Sequence, residues 1–336
     1  EFRTLIPAEE ARRLINDIRV KLSTIHLPVE DALGYRLAED IISDINVPSF
    51  DRSIMDGYAV RAEDTYQSGE TDPVGLHVIG SIDAGCFENY VLKKGESVAI
   101  ATGAPIPEGA NAVVMVEDTK EVGDTVSVYR PVHTGENIMS KGSDIMRGEQ
   151  IHRKNTRIGS REVGVLSATG KREVDVNTIK VGIISTGNEL IAPGKSLNFG
   201  LIYDTNSYTL SSSVKECSAT PVMYGIVNDD EDAMIDIINR AVNECDIVLT
   251  SGSTSAGSGD IMYKIIEDKG KTLFHGINIK PGKPVVAGLI NDVPTIGLPG
   301  NPTSALTIFN EFIAPLIRKN LVTSSNLGYR PTVSAG

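Results

Sequence analysis

Basic residues are in deficit in this chain: 32 Lys and Arg face 44 Asp and Glu, a formal net charge of −12. So acidic a surface repels a polyphosphate backbone and an anionic bilayer, which argues against general nucleic-acid binding and against membrane-surface attachment. Long apolar runs are missing too. Stretches such as Val181 to Ile184 and Asp246 to Leu249 are far shorter than the roughly 18 residues a bilayer span needs, so no membrane crossing is expected. The three cysteines, Cys86, Cys217 and Cys245, form no CxxC. They suggest neither a disulfide framework nor a zinc ribbon and are expected to be buried small hydrophobes. The five histidines, His26, His77, His133, His152 and His275, show no HxxxH or HExxH spacing, which speaks against a zinc hydrolase. There is no GxSxG elbow to present a serine nucleophile. The first residues, Glu1-Phe2-Arg3-Thr4, carry neither the charged region nor the apolar region of a secretory leader, and the cytoplasm is the expected location.

What the chain does have is length and turns. Its 336 residues allow about two or three domains. A composition of 40% hydrophobic and 23% charged residues with 32 Gly and 16 Pro is that of a soluble protein, not a disordered one. In the segment 8 to 24, Ala11, Leu14, Ile15, Ile18 and Leu22 recur at helical spacing and predict an amphipathic helix. From about 46 to 145 the texture is one of short alternating runs, 97–100, 112–116 and 125–129, separated by Gly, Pro, Asp and Asn, which predicts a β-rich domain. Segment 146–177 contains a weak helix near 160–166 and is expected to pack back on residues 1–45 as a discontinuous N-terminal and linker domain. Past Lys180, buried runs at 180–186, 221–227, 246–251, 283–289 and 293–298 alternate with helical patterns at 232–243 and 301–319. That is βαβ texture, and it predicts a doubly wound parallel sheet over 178–320 whose ligands lie beyond the carboxyl ends of the strands.

The unusual residues cluster at those ends. The loop Ser251-Gly252-Ser253-Thr254-Ser255 through Asp260 leaves a strand and enters a helix. It can be read as an anion cradle of backbone N–H groups and hydroxyls, or as a connector with Asp260 as N-cap. It has no following Gly-Lys-Ser/Thr and is not a Walker loop. Glu189 and Asp229 stand at two further strand ends and, taken singly, read as a turn acid and a helix-start acid. Converging on one rim with Asp260, these carboxylates would call for a divalent cation, and Mg²⁺ characteristically takes one or two carboxylates plus substrate phosphates. Lys280 and Lys283 flank a Pro-Gly turn and are suitable point charges for a phosphate. Asn301 reads as an N-cap with Pro302 at the first helical position, followed by Ser304. In the β-rich domain, Asp51 to Ala59, Ala101 to Pro105 and Lys141 to Asp144 read as turns.

Taken together, Ser53-Ile54-Met55-Asp56-Gly57-Tyr58-Ala59, Thr102-Gly103-Ala104-Pro105, Ser185-Thr186-Gly187-Asn188-Glu189-Leu190, Tyr203-Asp204-Thr205-Asn206, Lys280-Pro281-Gly282-Lys283-Pro284 and Leu298-Pro299-Gly300-Asn301-Pro302 resemble the molybdopterin molybdenumtransferase (MoeA) family, to which the gephyrin E domain also belongs. The resemblance implies an α/β multidomain homodimer with a site shared between subunits. It also implies a reaction: molybdenum from molybdate is placed on adenylylated molybdopterin, with release of AMP. By resemblance, Asp56, Thr102 and Asp144 match site residues of the family's second domain. Glu189, Asp229, Asp260, Lys280 and Lys283 match those of the third, with Mg²⁺ expected on Glu189, Asp229 and Asp260. Molybdate, a dianion, is expected on N–H donors and hydroxyls, either the Ser251–Ser255 loop or the helix start at Asn301, Pro302 and Ser304. Residues 321–336 are expected to begin a fourth, β-rich domain. The pattern departs from the family at Asn188, Ser143 and Ser253. Rival readings are tungstate as the oxyanion, the related adenylyltransferase, and a dimeric scaffold. Expected partners are a second copy of the chain, the adenylyltransferase and molybdoenzymes.

Overall fold

The structure is a computed structural model that describes residues 5–86, 88–252 and 259–323, with the side chains of 259, 260 and 323 left aside. The chain divides into two compact units, Asp40–Arg153 with Gly164–Lys171, and Glu1–Glu39 with Lys154–Val163 and Arg172–Gly336.

In the unit built on Asp40–Arg153, alternation makes a six-stranded sheet in the order 119–122, 125–128, 74–82, 96–100, 57–60, 112–115. Successive side chains of Gly57–Val60 take opposite faces, as a strand requires. Tyr58 and Val60 join a core with Leu76, Val114 and Val126, while Ala59 joins Ile82, Val98 and Val113 on the other face. The runs expected at 97–100, 112–116 and 125–129 appear as Glu96–Ile100, Ala112–Met115 and Thr125–Val128. Cys86 is exposed whereas Cys217 and Cys245 are buried, so the expectation of three buried thiols fails at the one that sits in a surface turn.

In the other unit the N-terminal helix covers Ala8–Asn16, shorter than the expected 8–24. Residues from Ser23 instead form a strand, Ser23–Pro28, paired antiparallel with Glu173–Thr178. Ile18 and Leu22 still pack on the core. Their burial mimicked helical periodicity, although a chain leaving a helix can bury the same face.

The main sheet of this unit has six strands, named here β1 (Lys180–Thr186), β2 (Thr220–Val227), β3 (Ile247–Ser251), β4 (Gly270–His275), β5 (Val286–Ile290) and β6 (Val293–Leu298). Its helices are α1 (Asn206–Glu216), α2 (Glu231–Glu244), α3 (Gly259–Lys269) and α4 (Pro302–Ile308). The strand order is β2-β1-β3-β6-β5-β4. Val181, Ile183, Ile247 and Leu249 face one core with Leu210, Val214, Ile308 and Phe312; Ile184 and Val248 face the other with Met234, Ile238, Met262 and Ile266. Burying each such side chain contributes about 1.5–3 kcal/mol, and this double coverage fixes the register of the strands.

The sheet is mixed, not wholly parallel as expected: β5 pairs antiparallel with both β6 and β4. Asn291 and Asp292, the two residues between β5 and β6, have φ of 51° and 63°. Both lie in the left-handed region, the condition for a tight two-residue hairpin, and a hairpin can only return the chain antiparallel. The remaining pairs, β1 with β2 and β3, and β3 with β6, are parallel. The helix expected at 301–319 extends from Pro302 to Thr323, with a π turn at Phe309–Ile313. No helix among the described residues is long and apolar enough to cross a membrane.

Candidate functional site

From β1 the chain runs through α1 to β2 on one side, then through α2 to β3 on the other. The carboxyl ends of β1 and β3 therefore flank the point where strand order reverses, where open α/β sheets bind their ligands. Ser185 pairs with Ser251 and Ser251 with Leu298, so the three strands finish level. Over these ends lies a pocket of about 370 Å³. Thr186, Ser251, Gly252 and Gly300 form its floor, Glu189 and Asp204 stand on one side, and Asn301, Pro302 and Ser304 on the other.

Each wall has a local cause. Residues 190–191 pair with 202–203, and Ile202 N–H donates to Glu189 O at 2.8 Å, which fixes the Glu189 backbone beside the Asp204 segment. Glu189 itself is exposed. Asp204 is only 4% exposed, and its Oδ1 accepts from Ser185 Oγ at 2.9 Å and from Ser207 N at 3.0 Å. Ser207 Oγ donates to its other oxygen. Asn206 spans the floor, donating through Nδ2 to Ser251 Oγ at 2.6 Å and to Gly300 O at 2.8 Å. Its Oδ1 is buried and has no hydrogen-bond partner among the described residues. A buried acceptor left unpaired costs free energy, so this atom is a natural seat for a ligand donor. Asn301 caps α4, accepting from Ser304 N at 3.1 Å.

The sequence offered two separate seats for an anion, the Ser251 loop and the Asn301 helix start. The structure puts Ser251, Gly252, Asn301, Pro302 and Ser304 around one pocket, together with Glu189. Ser253, Thr254, Ser255 and the side chain of Asp260 lie outside the described residues. Asp229, Lys280 and Lys283 are not among the described lining residues. Asp229 N–H donates to Asn188 Oδ1 at 3.2 Å, next to Glu189 in the chain, and the α2 cap is Asp230, not Asp229. Lys283 immediately precedes Pro284, which does line the pocket. Sequence reasoning assigned no role to Asp204 or Asn206. The polar run Tyr203-Asp204-Thr205-Asn206 between a strand and a helix was the available signal.

In the other unit, Asp56 and Thr102 meet: Asp56 Oδ1 accepts from Thr102 N at 2.7 Å and Thr102 Oγ1 at 2.9 Å. The backbone donor first, then the hydroxyl, holds the Asp56 carboxyl below its ordinary range. The turn is tied on both sides. Gly103 N–H donates to Ser53 O at 2.8 Å and Lys141 N–H to Asp51 Oδ1 at 2.7 Å. Asp144 belongs to the same braid, its N–H donating to Val47 O at 3.0 Å, and its side chain is exposed. Gly57 is required beside Asp56, since a Cβ there would fall 1.9 Å from Val114 O.

The donor set is one of hard oxygens. Among the described residues, no group of three or more His, Cys, Asp or Glu side chains gathers to hold a metal ion. A cation at the pocket would depend on one or two carboxylates and on oxygens of the ligand itself, which is the habit of Mg²⁺.

Comparison with known proteins agrees with this layout. Residues 6–170 match the family model described as MoeA N-terminal region (domain I and II), and residues 182–319 match the Probable molybdopterin binding domain. The molybdopterin molybdenumtransferase of a Nostoc species is 36% identical over 293 residues, 86% of this chain and 67% of the relative. That of Bacillus subtilis is 35% identical over 331 residues, 97% of this chain and 77% of the relative. A crystal structure of the molybdopterin biosynthesis MoeA protein of Pyrococcus horikoshii shares 40% identity, covers 97% of this chain and 82% of its own, and superposes with a TM-score of 0.74. With relatives this similar spanning both units, the chain belongs to the MoeA family of molybdopterin molybdenumtransferases.

Proposed function

We propose that this chain places molybdenum from molybdate on the dithiolene of adenylylated molybdopterin, cleaving the phosphoanhydride and releasing AMP. One observation carries the reading: the pocket over β1, β3 and β6, where a buried orphan acceptor, a helix start and an exposed carboxylate surround about 370 Å³ in a chain of this family. Asn206 Oδ1 accepts an N–H of the substrate. Ser251 Oγ, already accepting from Asn206, keeps its own proton to donate to an anionic oxygen. The Asn301 start of the helix that continues to Thr323 adds a field favourable to negative charge. Lys280 and Lys283 act as point charges on the leaving phosphate. The carboxylate oxygens of Glu189, with Asp229 and Asp260, suit Mg²⁺, which when bound neutralises charge on the anhydride oxygens. The reading includes a homodimer in the cytoplasm, with Asp56, Thr102 and Asp144 also serving the reaction, the adenylyltransferase supplying substrate and molybdoenzymes receiving the product.

The test is AMP release from adenylylated molybdopterin in the presence of Mg²⁺ and either molybdate or tungstate. AMP is expected to appear only when an oxyanion is present, to stop on chelation with EDTA, and to form at least about tenfold more slowly in Glu189→Gln. A folded chain that releases no AMP with either oxyanion overturns the proposal.

A further inference from the structure

Three arginines of the unit built on Arg172–Gly336, Arg36, Arg157 and Arg318, line a second cavity of about 270 Å³ that shares no residue with the Glu189 pocket. A water occupies about 30 Å³ of liquid, so the space holds far more than one. Ion pairs do hold Arg12, Arg130 and Arg240, each of which reaches a carboxylate within 3.1 Å. Among the described residues, Arg36, Arg157 and Arg318 have no ion pair. Glu216 is the one acid among the described lining residues and makes an ion pair with none of the three. Residues 324–336 contain no Asp or Glu.

The chain also holds these charges close. Arg36 and Arg157 stand opposite each other in an antiparallel bridge, where like charges destabilise. Arg36 Nη1 donates to Asn155 O at 2.8 Å, which orients its guanidinium. Burial, and then the charge of Arg157, depress its affinity for its proton. Burial pushes the Cys217 thiol up, and the nearby charge of Arg318 opposes that rise. Two residues with left-handed backbone, Gly34 at φ 90° and Ser218 at φ 57°, meet on the same wall, where a Cβ on Gly34 would lie 3.1 Å from Ser218 Oγ. Three guanidinium groups at one cavity, with Arg36 oriented by Asn155, with Arg157 and Arg318 exposed to solvent, and with none of them in an ion pair among the described residues, match the planar, bidentate recognition of tetrahedral oxyanions.

We propose that the cavity lined by Arg36, Arg157 and Arg318 binds a phosphate-class oxyanion, free or as the phosphate end of a small molecule. The experiment is equilibrium dialysis of the full chain against inorganic phosphate, diphosphate and AMP, with Arg157→Gln, Arg318→Gln, the double variant, and Arg153→Gln as a control outside the cavity lining. Each single variant should weaken binding about tenfold, as loss of one charge-assisted contact implies. The double variant should remove one binding site per chain, and Arg153→Gln should change nothing. Arg157→Lys, which keeps the charge but loses the planar fork, should weaken binding less than Arg157→Gln does. Arginine-dependent binding of phosphate or diphosphate identifies a free ion as ligand, and arginine-dependent binding of AMP alone identifies a larger phosphorylated molecule. Affinities unchanged by Arg157→Gln and Arg318→Gln, or no binding of any of the three anions at millimolar concentration, overturn the assignment.

Discussion

Gly252→Ala is expected to destabilise its unit by about 2–5 kcal/mol and to abolish AMP release, combining a strained backbone with an overlap that cannot relax. Gly252 has φ 111°, a conformation that alanine rarely adopts, and a Cβ there would lie 2.0 Å from the carbonyl oxygen of Thr186. Neither partner can yield. Thr186 ends β1 and is paired with Val227, Gly252 follows β3, and Gly300 lies against its other side, a Cβ on Gly300 falling 3.3 Å from Gly252 Cα. The clash sits in the pocket floor itself. Urea denaturation checks the stability change, and Gly164→Ala is the control. Gly164 lies in the helix Ser160–Ala168 with nothing within 4 Å of an added Cβ. There alanine should stabilise, by up to about 1 kcal/mol.

The second large effect is expected at Asp204. Replacing its carboxylate with a methyl group removes the acceptor of three donors, Ser185 Oγ, Ser207 N and Ser207 Oγ; the two hydroxyls, 2.6 Å apart, can then satisfy one of themselves, which leaves two donors unpaired in a buried place. Each unsatisfied buried donor costs about 1–3 kcal/mol, so Asp204→Ala should lose at least about 2 kcal/mol. Asp204→Asn keeps an acceptor for Ser185 and the Ser207 backbone, and the Ser207 hydroxyl can rotate to accept from the new amide. It should lose about 1 kcal/mol or less. Denaturation of the two variants side by side separates a polar knot from simple filling of space. Equal losses would show that the carboxylate's hydrogen bonds contribute little. Because Ser207 and Asn206 begin α1, loosening Asp204 should also shift Asn206 and with it the pocket floor.

Much of this fold could be read from the chain because its cores are built on simple periods. Val181, Ile183 and Ile184 in β1, and Met234, Ile238 and Val242 in α2, betray strand and helix by spacing alone. The errors share a cause. At Ile18 and Leu22, and at the run 293–298, apolar residues signalled burial correctly while the direction of the chain was decided elsewhere, by the strand at Ser23 and by the left-handed pair Asn291-Asp292. Polar residues were harder. Glu189 and Asn301 stood out at strand ends, yet Asp204 and Asn206, which build the pocket through hydrogen bonds to Ser185, Ser251 and Gly300, entered only as part of a family motif with no role of their own. A side chain that works by bridging distant segments leaves no local pattern. The three arginines of the second cavity are 121 and 161 residues apart, and only the bridge at Arg36 and Arg157 and the end of the last helix bring them together.

The central claim is that substrate lies over the carboxyl ends of β1, β3 and β6, against Glu189, Asn206 and Asn301. Amide hydrogen exchange measured with and without adenylylated molybdopterin tests it most directly, since exchange reports protection segment by segment. Slower exchange at Gly187 to Leu190, at Asn206 and Ser207, and at Gly300 to Thr303, with Gly34 to Arg36 unchanged, is the predicted result. Saturating substrate that leaves those amides untouched, or protects only segments away from them, would contradict the account.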